Sequence, residues 1–211
     1  GIDEFMEWAK AADVEPMMAV NLGTRGVAEA TALLEYSNIK GGTARSDERR
    51  ANGAEEPHDI QMWCLGNEMD GPWQTGHKTA HEYGRLAAET ARAMRQMQPD
   101  LELVACGSSS SEMETFGDWE YEVLKEAYDL VDMISAHVYY WEQDGDVDSF
   151  LASAVNMDRF IESIAATADA VKAAGRHDKD IAISFDEWNV WYQKDTPSEP
   201  PTGDDWPIAP V

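Results

Sequence analysis

Two glutamates carry the clearest chemical signal in this sequence. Glu68 follows the apolar run Ile60–Leu65, and Glu187 follows the apolar run Ile181–Phe185. Short runs of this kind, separated by helical patterns, predict buried parallel strands, and each glutamate then comes just past the end of its strand. The carboxyl ends of such strands meet at one rim of an α/β barrel. Two carboxylates that face each other across this rim are the groups with which a glycosidase cleaves a sugar linkage.

The hydrophobic pattern around these glutamates predicts five strands that alternate with helices. The predicted strands cover 16–21, 60–65, 101–105, 131–136 and 181–185, and the predicted helices cover 1–12, 26–37, 77–98, 118–128 and 156–174. The stretch 39–58 is rich in glycine and polar residues, and the stretch 139–148 is aromatic and acidic, so both are expected to be loops. Alternation of this kind predicts a parallel sheet with right-handed crossovers.

The predicted fold is therefore α/β, a partial (β/α)8 TIM barrel that contains about strands three to seven. A closed barrel needs about 250 residues, whereas this chain has 211. An open parallel sheet of this type would expose two apolar edges. We expect residues 1–211 to be an incomplete catalytic barrel from inside a longer protein, and to be inactive alone. Residues 194–211, with five prolines, are expected to form a rim loop.

The composition argues against several classes of partner. Acidic residues outnumber basic ones by 41 to 16, which gives a formal net charge of -25. This charge repels phosphate backbones and anionic lipids, so we expect neither nucleic acid nor a membrane as a partner, while a neutral sugar fits. A well-solvated surface would explain the charge equally well. Cys64 and Cys106 lie in apolar runs and are expected to be buried thiols, which favours a cytoplasmic location.

Three spaced motifs resemble those of the retaining glycosidases that carry their acids on strands four and seven. These motifs are Gly66-Asn67-Glu68, Ser135–Tyr140 and Asp186–Asn189. Within that clan, the segments Ala19–Gly26 and Trp63–Gln74 resemble the α-L-arabinofuranosidases of glycoside hydrolase family 51. The similarity extends over nearly the whole chain.

The resemblance implies a function and a role for each glutamate. Glu68 would be the general acid and base, and Glu187 the nucleophile, in a double displacement that removes terminal α-L-arabinofuranosyl residues from oligo- and polysaccharides. The negative charge of Glu187 is expected to raise the pKa of Glu68. The resemblance implies no cofactor and no metal, and it allows a homo-oligomer of the full-length parent. From the resemblance, we expect the family's C-terminal β-sandwich domain and the residues of its other strands to lie outside residues 1–211.

Four further side chains are candidates for substrate binding. Asn67 is expected to donate its amide to a sugar hydroxyl, although a turn-forming role is the alternative. Tyr139 is expected to donate to Glu187 and stabilise its anion. His137 is expected to brace the site, unless it is a satisfied core histidine. Trp191 offers an apolar face to a furanose ring, or else packs within the barrel.

Other functions remain open on the sequence. A glycosidase of the same clan with another specificity, such as a β-xylosidase or a β-glucanase, would use the same two acids. A metal-dependent sugar isomerase would instead hold a divalent cation with Glu68, His137 and Glu187, and chelation would abolish its activity. A non-catalytic carbohydrate-binding barrel is disfavoured because both carboxylates are present.

Overall fold

One parallel sheet organises the chain. The computed structural model describes residues 1–142 and 145–191. The strands are β1 (Met17–Ala19), β2 (Met62–Leu65), β3 (Glu102–Ala105), β4 (Met133–Tyr140) and β5 (Ala182–Val190). All neighbouring pairs are parallel, and their spatial order is the same as their order along the chain.

Helices connect these strands. They are α1 (Ile2–Ala12), α2 (Val27–Asn38), α3 (Ala44–Ala51), α4 (Ala80–Met97), α5 (Asp118–Ala127), α6 (Val147–Leu151) and α7 (Ser153–Gly175), with a 3-10 turn at Tyr128–Leu130. Right-handed crossovers between successive strands bring all connecting helices to one face of the sheet. A doubly wound sheet would instead reverse its strand order at a switch point. The predicted partial (β/α)8 barrel is therefore confirmed.

An aromatic pair ties two helices to the strand ends that carry the site. Tyr83 of α4 stacks on Trp119 of α5, with ring centroids 5.4 Å apart. The Tyr83 hydroxyl donates to the backbone oxygen of Leu65 at 2.7 Å and accepts from the backbone N–H of Cys106 at 2.7 Å. Trp119 donates to the backbone oxygen of Cys106 at 2.9 Å. The carboxyl ends of β2 and β3 are thus held in fixed positions against the helical layer.

The prediction of a loop over 39–58 was wrong, because this stretch contains α3. Its N-terminal cap is Thr43, whose hydroxyl accepts from the backbone N–H of Ser46 at 3.3 Å. The helix has no apolar stripe to reveal it, since the side chain that it buries most deeply is a charged one, Arg49. A pattern based on apolar residues cannot detect a helix of this kind.

Arg49 holds the surrounding backbone together. It is fully buried, and its guanidinium donates to the backbone oxygens of Tyr36 and Ile39, both at 2.7 Å. Further donations reach the backbone oxygens of Lys40 and Ala54, both at 3.1 Å. A fork of five N–H donors can satisfy several carbonyl groups at once. The side chain therefore replaces the backbone pairing that the irregular segments around α3 lack.

Replacing Arg49 with methionine should destabilise the fold strongly. The variant leaves several buried carbonyl groups without donors, so we expect the free energy of unfolding to fall by about 3 to 5 kcal/mol. Urea denaturation followed by circular dichroism measures this change. Arg50→Met is the matched control on the same helix, because the Arg50 side chain forms an exposed ion pair with Glu55, worth at most about 1 kcal/mol. Equal losses in the two variants would contradict this assignment.

The second predicted loop, 139–148, was also wrong in part. Strand β4 continues to Tyr140, and β5 continues past its predicted end at Phe185 to Val190, because the two strands go on pairing there. Helix α6 begins at Val147, inside the predicted loop, and α7 begins at Ser153. Polar and aromatic residues at a barrel rim hide the strand pattern, since they face a site rather than a core.

Two predictions concern the C-terminal residues and membrane association. The predicted rim loop at 194–211 lies outside the described residues. Within the part that is described, no helix is long and apolar enough to cross a membrane.

Candidate active site

An irregularity in β5 determines how the site is built. Ser135 of β4 pairs with Ser184 of β5, and His137 pairs with Glu187, so β5 has one more residue than β4 between these pairs. A bulge of this kind re-aims side chains locally. Adjacent residues of a regular strand point to opposite faces, but here both Asp186 and Glu187 reach His137.

His137 lies at the centre of three carboxylates. Its Nδ1 atom is 3.2 Å from Glu68 Oε1 and 3.5 Å from Glu187 Oε2, and its Nε2 atom is 2.9 Å from Asp186 Oδ1. Glu68 and Glu187 each place a carboxylate oxygen within 4.8 Å of the other. The ring is only 5% exposed. Glu68 and Glu187 are 119 positions apart in the sequence, and the fold brings them into one cluster at the carboxyl ends of β2, β4 and β5.

The charges of this cluster fix the state of the histidine. Burial acts to lower the pKa of His137, but hydrogen bonds with Asp186 and Glu68 and the charge of Glu187 outweigh it and raise the pKa to about 9. The imidazole is therefore a cation at neutral pH. It separates two carboxylates that would otherwise repel each other at this distance.

The expected direction of the Glu68 pKa was wrong. Burial does act to raise this pKa, but hydrogen bonds from His137 and Trp73 more than offset it, so the pKa lies below its ordinary value. The expectation rested on the negative charge of Glu187 alone, whereas the cation of His137 lies between the two glutamates. In the substrate-free site, the proton nearest to Glu68 is held by His137.

A second set of donors holds Glu68 from the opposite side. The Trp73 indole N–H donates to Glu68 Oε2 at 2.7 Å, and the Gln74 side-chain amide approaches the same oxygen at 3.4 Å. Glycine is required at position 71, because a Cβ there would lie 2.5 Å from the Trp73 ring. The indole can thus fold back over the chain and reach the carboxylate. The sequence pattern did not predict this contact of Trp73 with Glu68.

The remaining predicted residues on β4 and β5 surround Glu187. The Tyr139 hydroxyl donates to Glu187 Oε1 at 2.9 Å. Burial, together with this contact to a carboxylate, raises the pKa of Tyr139 to about 12, so the phenol keeps its proton. Trp191 meets the Tyr139 ring edge-on, with centroids 5.1 Å apart, and half of its surface is exposed. The structure therefore brings Tyr139 and Trp191 to the same side of the site as Glu187.

Asp186 is the residue of the cluster that the sequence analysis missed. Besides His137, its carboxylate accepts from the Ser184 hydroxyl at 2.8 Å and lies 3.9 Å from Cys64 Sγ. Burial and the charge of Asp186 raise the pKa of the Cys64 thiol to about 12, which keeps it protonated. Regular strand alternation would turn Asp186 away from Glu187, so the motif Asp186–Asn189 did not predict that its aspartate joins the cluster.

A pocket of about 130 Å³ lies beside the carboxylate cluster. Asn67 lines it together with His137, Asp186 and Glu187. Glu68, His137 and Glu187 each offer one ligand atom within 4.8 Å of the others, so this trio is the group that could hold a cation among the described residues. The same three groups can equally hold and transfer protons.

Known proteins resemble this chain over most of its length. The sequence model of the α-L-arabinofuranosidase 1 domain matches residues 1–160. An intracellular exo-α-(1→5)-L-arabinofuranosidase from Streptomyces lividans is 63% identical over the whole chain, which spans 32% of that relative. An exo-α-(1→6)-L-arabinofuranosidase from Bifidobacterium longum is 56% identical, again over the whole chain, which spans 42% of that relative.

A solved structure carries the same fold. A family 51 α-L-arabinofuranosidase from Bifidobacterium longum superposes with a TM-score of 0.88 at 49% identity, over 91% of this chain and 39% of that protein. The chain thus spans 32% to 42% of the length of these relatives. Since the domain model covers well over half of the chain, the chain belongs to the family of the α-L-arabinofuranosidase 1 domain.

Proposed function

We propose that this chain supplies both catalytic carboxylates of a retaining α-L-arabinofuranosidase. The observation that carries the proposal is the separation of Glu68 and Glu187, whose nearest oxygens lie within 4.8 Å of each other beside a pocket. Retaining glycosidases hold their carboxyl groups about 5 to 5.5 Å apart, whereas inverting ones leave about 6.5 to 9.5 Å for a water molecule. The short separation therefore favours a double displacement.

In the first step, a carboxylate oxygen of Glu187 attacks the anomeric carbon while Glu68 gives a proton to the departing oxygen. The glycosidic bond breaks as an ester between the sugar and Glu187 forms. In the second step, Glu68 takes a proton from water, and the water oxygen attacks the anomeric carbon and releases Glu187. Tyr139 donates to Glu187 Oε1 at 2.9 Å and holds the attacking carboxylate in place.

The acid in this mechanism draws its proton from the histidine. His137 Nδ1 lies 3.2 Å from Glu68 Oε1, so a proton can pass between them without a water molecule. Attack by Glu187 on the sugar consumes one of the negative charges that stabilise the His137 cation. Asp186 keeps the ring oriented through its contact with Nε2, at 2.9 Å. The cluster thus holds one proton that Glu68 can use and later restore.

The names of the relatives support a class of substrate. Their names describe exo-acting arabinofuranosidases, with (1→5) specificity in one and (1→6) specificity in another. We propose that this protein also removes terminal arabinofuranosyl residues from arabinose-containing oligosaccharides or polysaccharides, and that it does so inside the cell, as the name of the Streptomyces relative states for that protein.

A panel of para-nitrophenyl glycosides tests the specificity in the complete protein that contains this chain. We expect the α-L-arabinofuranoside to be cleaved and the β-D-xylopyranoside and β-D-glucopyranoside to react at least about 10²-fold more slowly, because a pocket that hydrogen-bonds one sugar leaves polar groups unpaired with another. Proton NMR of the first product should give the α-anomer. Faster cleavage of the xyloside, or an inverted product, would contradict the proposal.

The same assay separates the glycosidase from a metal-dependent isomerase. The cation state of His137, with its pKa raised to about 9, disfavours coordination of a metal by this ring at neutral pH. Dialysis against EDTA should therefore leave the hydrolysis rate unchanged. Loss of activity on chelation, restored by a divalent cation, would instead support the isomerase.

A further inference from the structure

The backbone at Glu68 is strained. Glu68 has φ +47°, in the left-handed region that residues with a side chain rarely adopt. The chain turns sharply here, and the Gly71 N–H donates to the Glu68 backbone oxygen at 2.9 Å. Strained conformations persist at functional sites only where the surrounding structure over-determines them. Some contact near Glu68 must therefore fix this turn.

The Asp70 side chain provides that contact. It is 8% exposed, and its Oδ2 atom accepts from the backbone N–H of Ser109 at 3.0 Å and from the Ser109 hydroxyl at 3.1 Å. Ser109 lies in the loop after β3, so Asp70 connects the turn that carries Glu68 to the neighbouring strand. A second tie is between backbone atoms, from the Lys78 N–H to the Met69 oxygen at 2.9 Å.

The loop that receives Asp70 is itself rigidly held. The Gly107 N–H donates to the Ser135 hydroxyl on β4 at 3.1 Å. A Cβ at Gly107 would lie 2.0 Å from the Ser135 backbone oxygen, so the loop and β4 are in direct contact. The Ser108 N–H donates to Glu120 Oε1 on α5 at 2.7 Å. Asp70 is thus tied to a point that cannot move independently of the sheet.

The other carboxylate oxygen of Asp70 lowers the stability of the fold. Asp70 Oδ1 is buried and has no hydrogen-bond partner among the described residues. Burial raises the pKa of Asp70 against the hydrogen bonds from Ser109, and the negative charge of Glu68 adds to the rise. A buried polar atom without a partner destabilises a fold. The Ser109 contacts must therefore serve something beyond the general stability of the loop.

We propose that Asp70 is a positioning residue, which holds the strained turn at residues 66–71 against Ser109 so that the Glu68 carboxylate points at the leaving-group oxygen. The inference rests on the proposed role of Glu68 as general acid and base. The Asp70 carboxylate accepts its hydrogen bonds from Ser109, so it acts on the reaction through the position of Glu68. Its loss should affect the steps that need the proton of Glu68 and spare the others.

The test compares leaving groups in the complete protein. Asp70→Ala should lower kcat/KM for an alkyl α-L-arabinofuranoside by about 10²-fold, as expected when a catalytic group is displaced by about 1 Å. For the dinitrophenyl α-L-arabinofuranoside, whose leaving group needs no proton, the change should stay within about threefold. Asp70→Asn keeps an oxygen acceptor for Ser109 and should restore the alkyl rate to within about threefold of the wild type.

Two controls keep the inference falsifiable. Ser109→Ala removes one donor but keeps the backbone N–H, so it should produce the same selective loss to a smaller extent even if Asp70→Ala does not fold. Glu68→Ala, measured alongside, should show the full dependence on leaving group. If Glu68→Ala shows this dependence but the Asp70 and Ser109 variants affect both substrates equally, or neither, the inference is overturned. If Glu68→Ala changes kcat/KM equally for both substrates, the proposed role of Glu68 as general acid is wrong, and the inference about Asp70 is not what has failed.

Discussion

The Glu187→Ala variant of the complete protein should lose almost all glycosyl transfer. We expect kcat/KM for para-nitrophenyl α-L-arabinofuranoside to fall by at least about 10⁴-fold, since removal of a nucleophile eliminates the covalent route altogether. Steady-state release of nitrophenol measures the loss. The matched control is Glu102→Ala, an exposed glutamate at the first position of strand β3, at the other end of the sheet from the site, which should keep wild-type activity.

External azide should partly restore turnover in Glu187→Ala. The space left by the side chain opens directly onto the pocket, so a small anion can attack the anomeric carbon from the face that Glu187 occupied. A single displacement inverts the configuration. The product should therefore be the β-L-arabinofuranosyl azide, identified by NMR. A variant that keeps a tenth of the wild-type rate, or an azide product of retained configuration, would exclude Glu187 as the nucleophile.

The Glu68→Ala variant should separate substrates according to their leaving groups. For an alkyl α-L-arabinofuranoside, kcat/KM should fall by about 10² to 10⁴-fold, the usual contribution of general acid catalysis. For the dinitrophenyl glycoside it should stay near the wild-type value, because this leaving group departs without a proton. Turnover of the dinitrophenyl substrate should still slow down, since hydrolysis of the ester intermediate needs Glu68 as the base.

Azide provides the second half of this experiment. As an anion, it attacks the ester intermediate without help from a base, so it should accelerate turnover of the dinitrophenyl glycoside by Glu68→Ala. Here the product should retain its configuration, in contrast with Glu187→Ala, because two displacements have occurred. Opposite stereochemistry in the two variants distinguishes the roles of the two glutamates. Identical azide products from both would refute the assignment.

The pairing of the two acids could be predicted from local patterns. Short apolar runs before Glu68 and Glu187, with helical stretches between them, sufficed to predict parallel strands that deliver both residues to one rim. That inference needs only the period of buried residues and the geometry of parallel crossovers. Tyr139 and His137 followed for the same reason, as residues at the end of a third strand. The family resemblance rested on these motifs, and the comparison with known proteins confirmed it.

The elements without an apolar signal could not be predicted. Helix α3 buries Arg49 in place of an apolar side chain, so its sequence looks like a loop. The last residues of β4 and β5 face the site. Because these residues are polar or aromatic, the apolar pattern did not reveal where the strands end. In each case the chain is stabilised by long-range hydrogen bonds, which a window of neighbouring residues does not contain.

The sequence alone therefore determined the order of the strands, and it predicted that Glu68 and Glu187 meet at one rim, as the structure shows. Only the tertiary structure decided their electrostatic state. The extra residue in β5 turns Asp186 as well as Glu187 towards His137, and the resulting three carboxylates raise the pKa of this ring to about 9. That cation in turn lowers the pKa of Glu68, contrary to the expectation from two glutamates alone. Charges depend on distances in space, and those distances are set by register and bulges that the sequence pattern does not reveal.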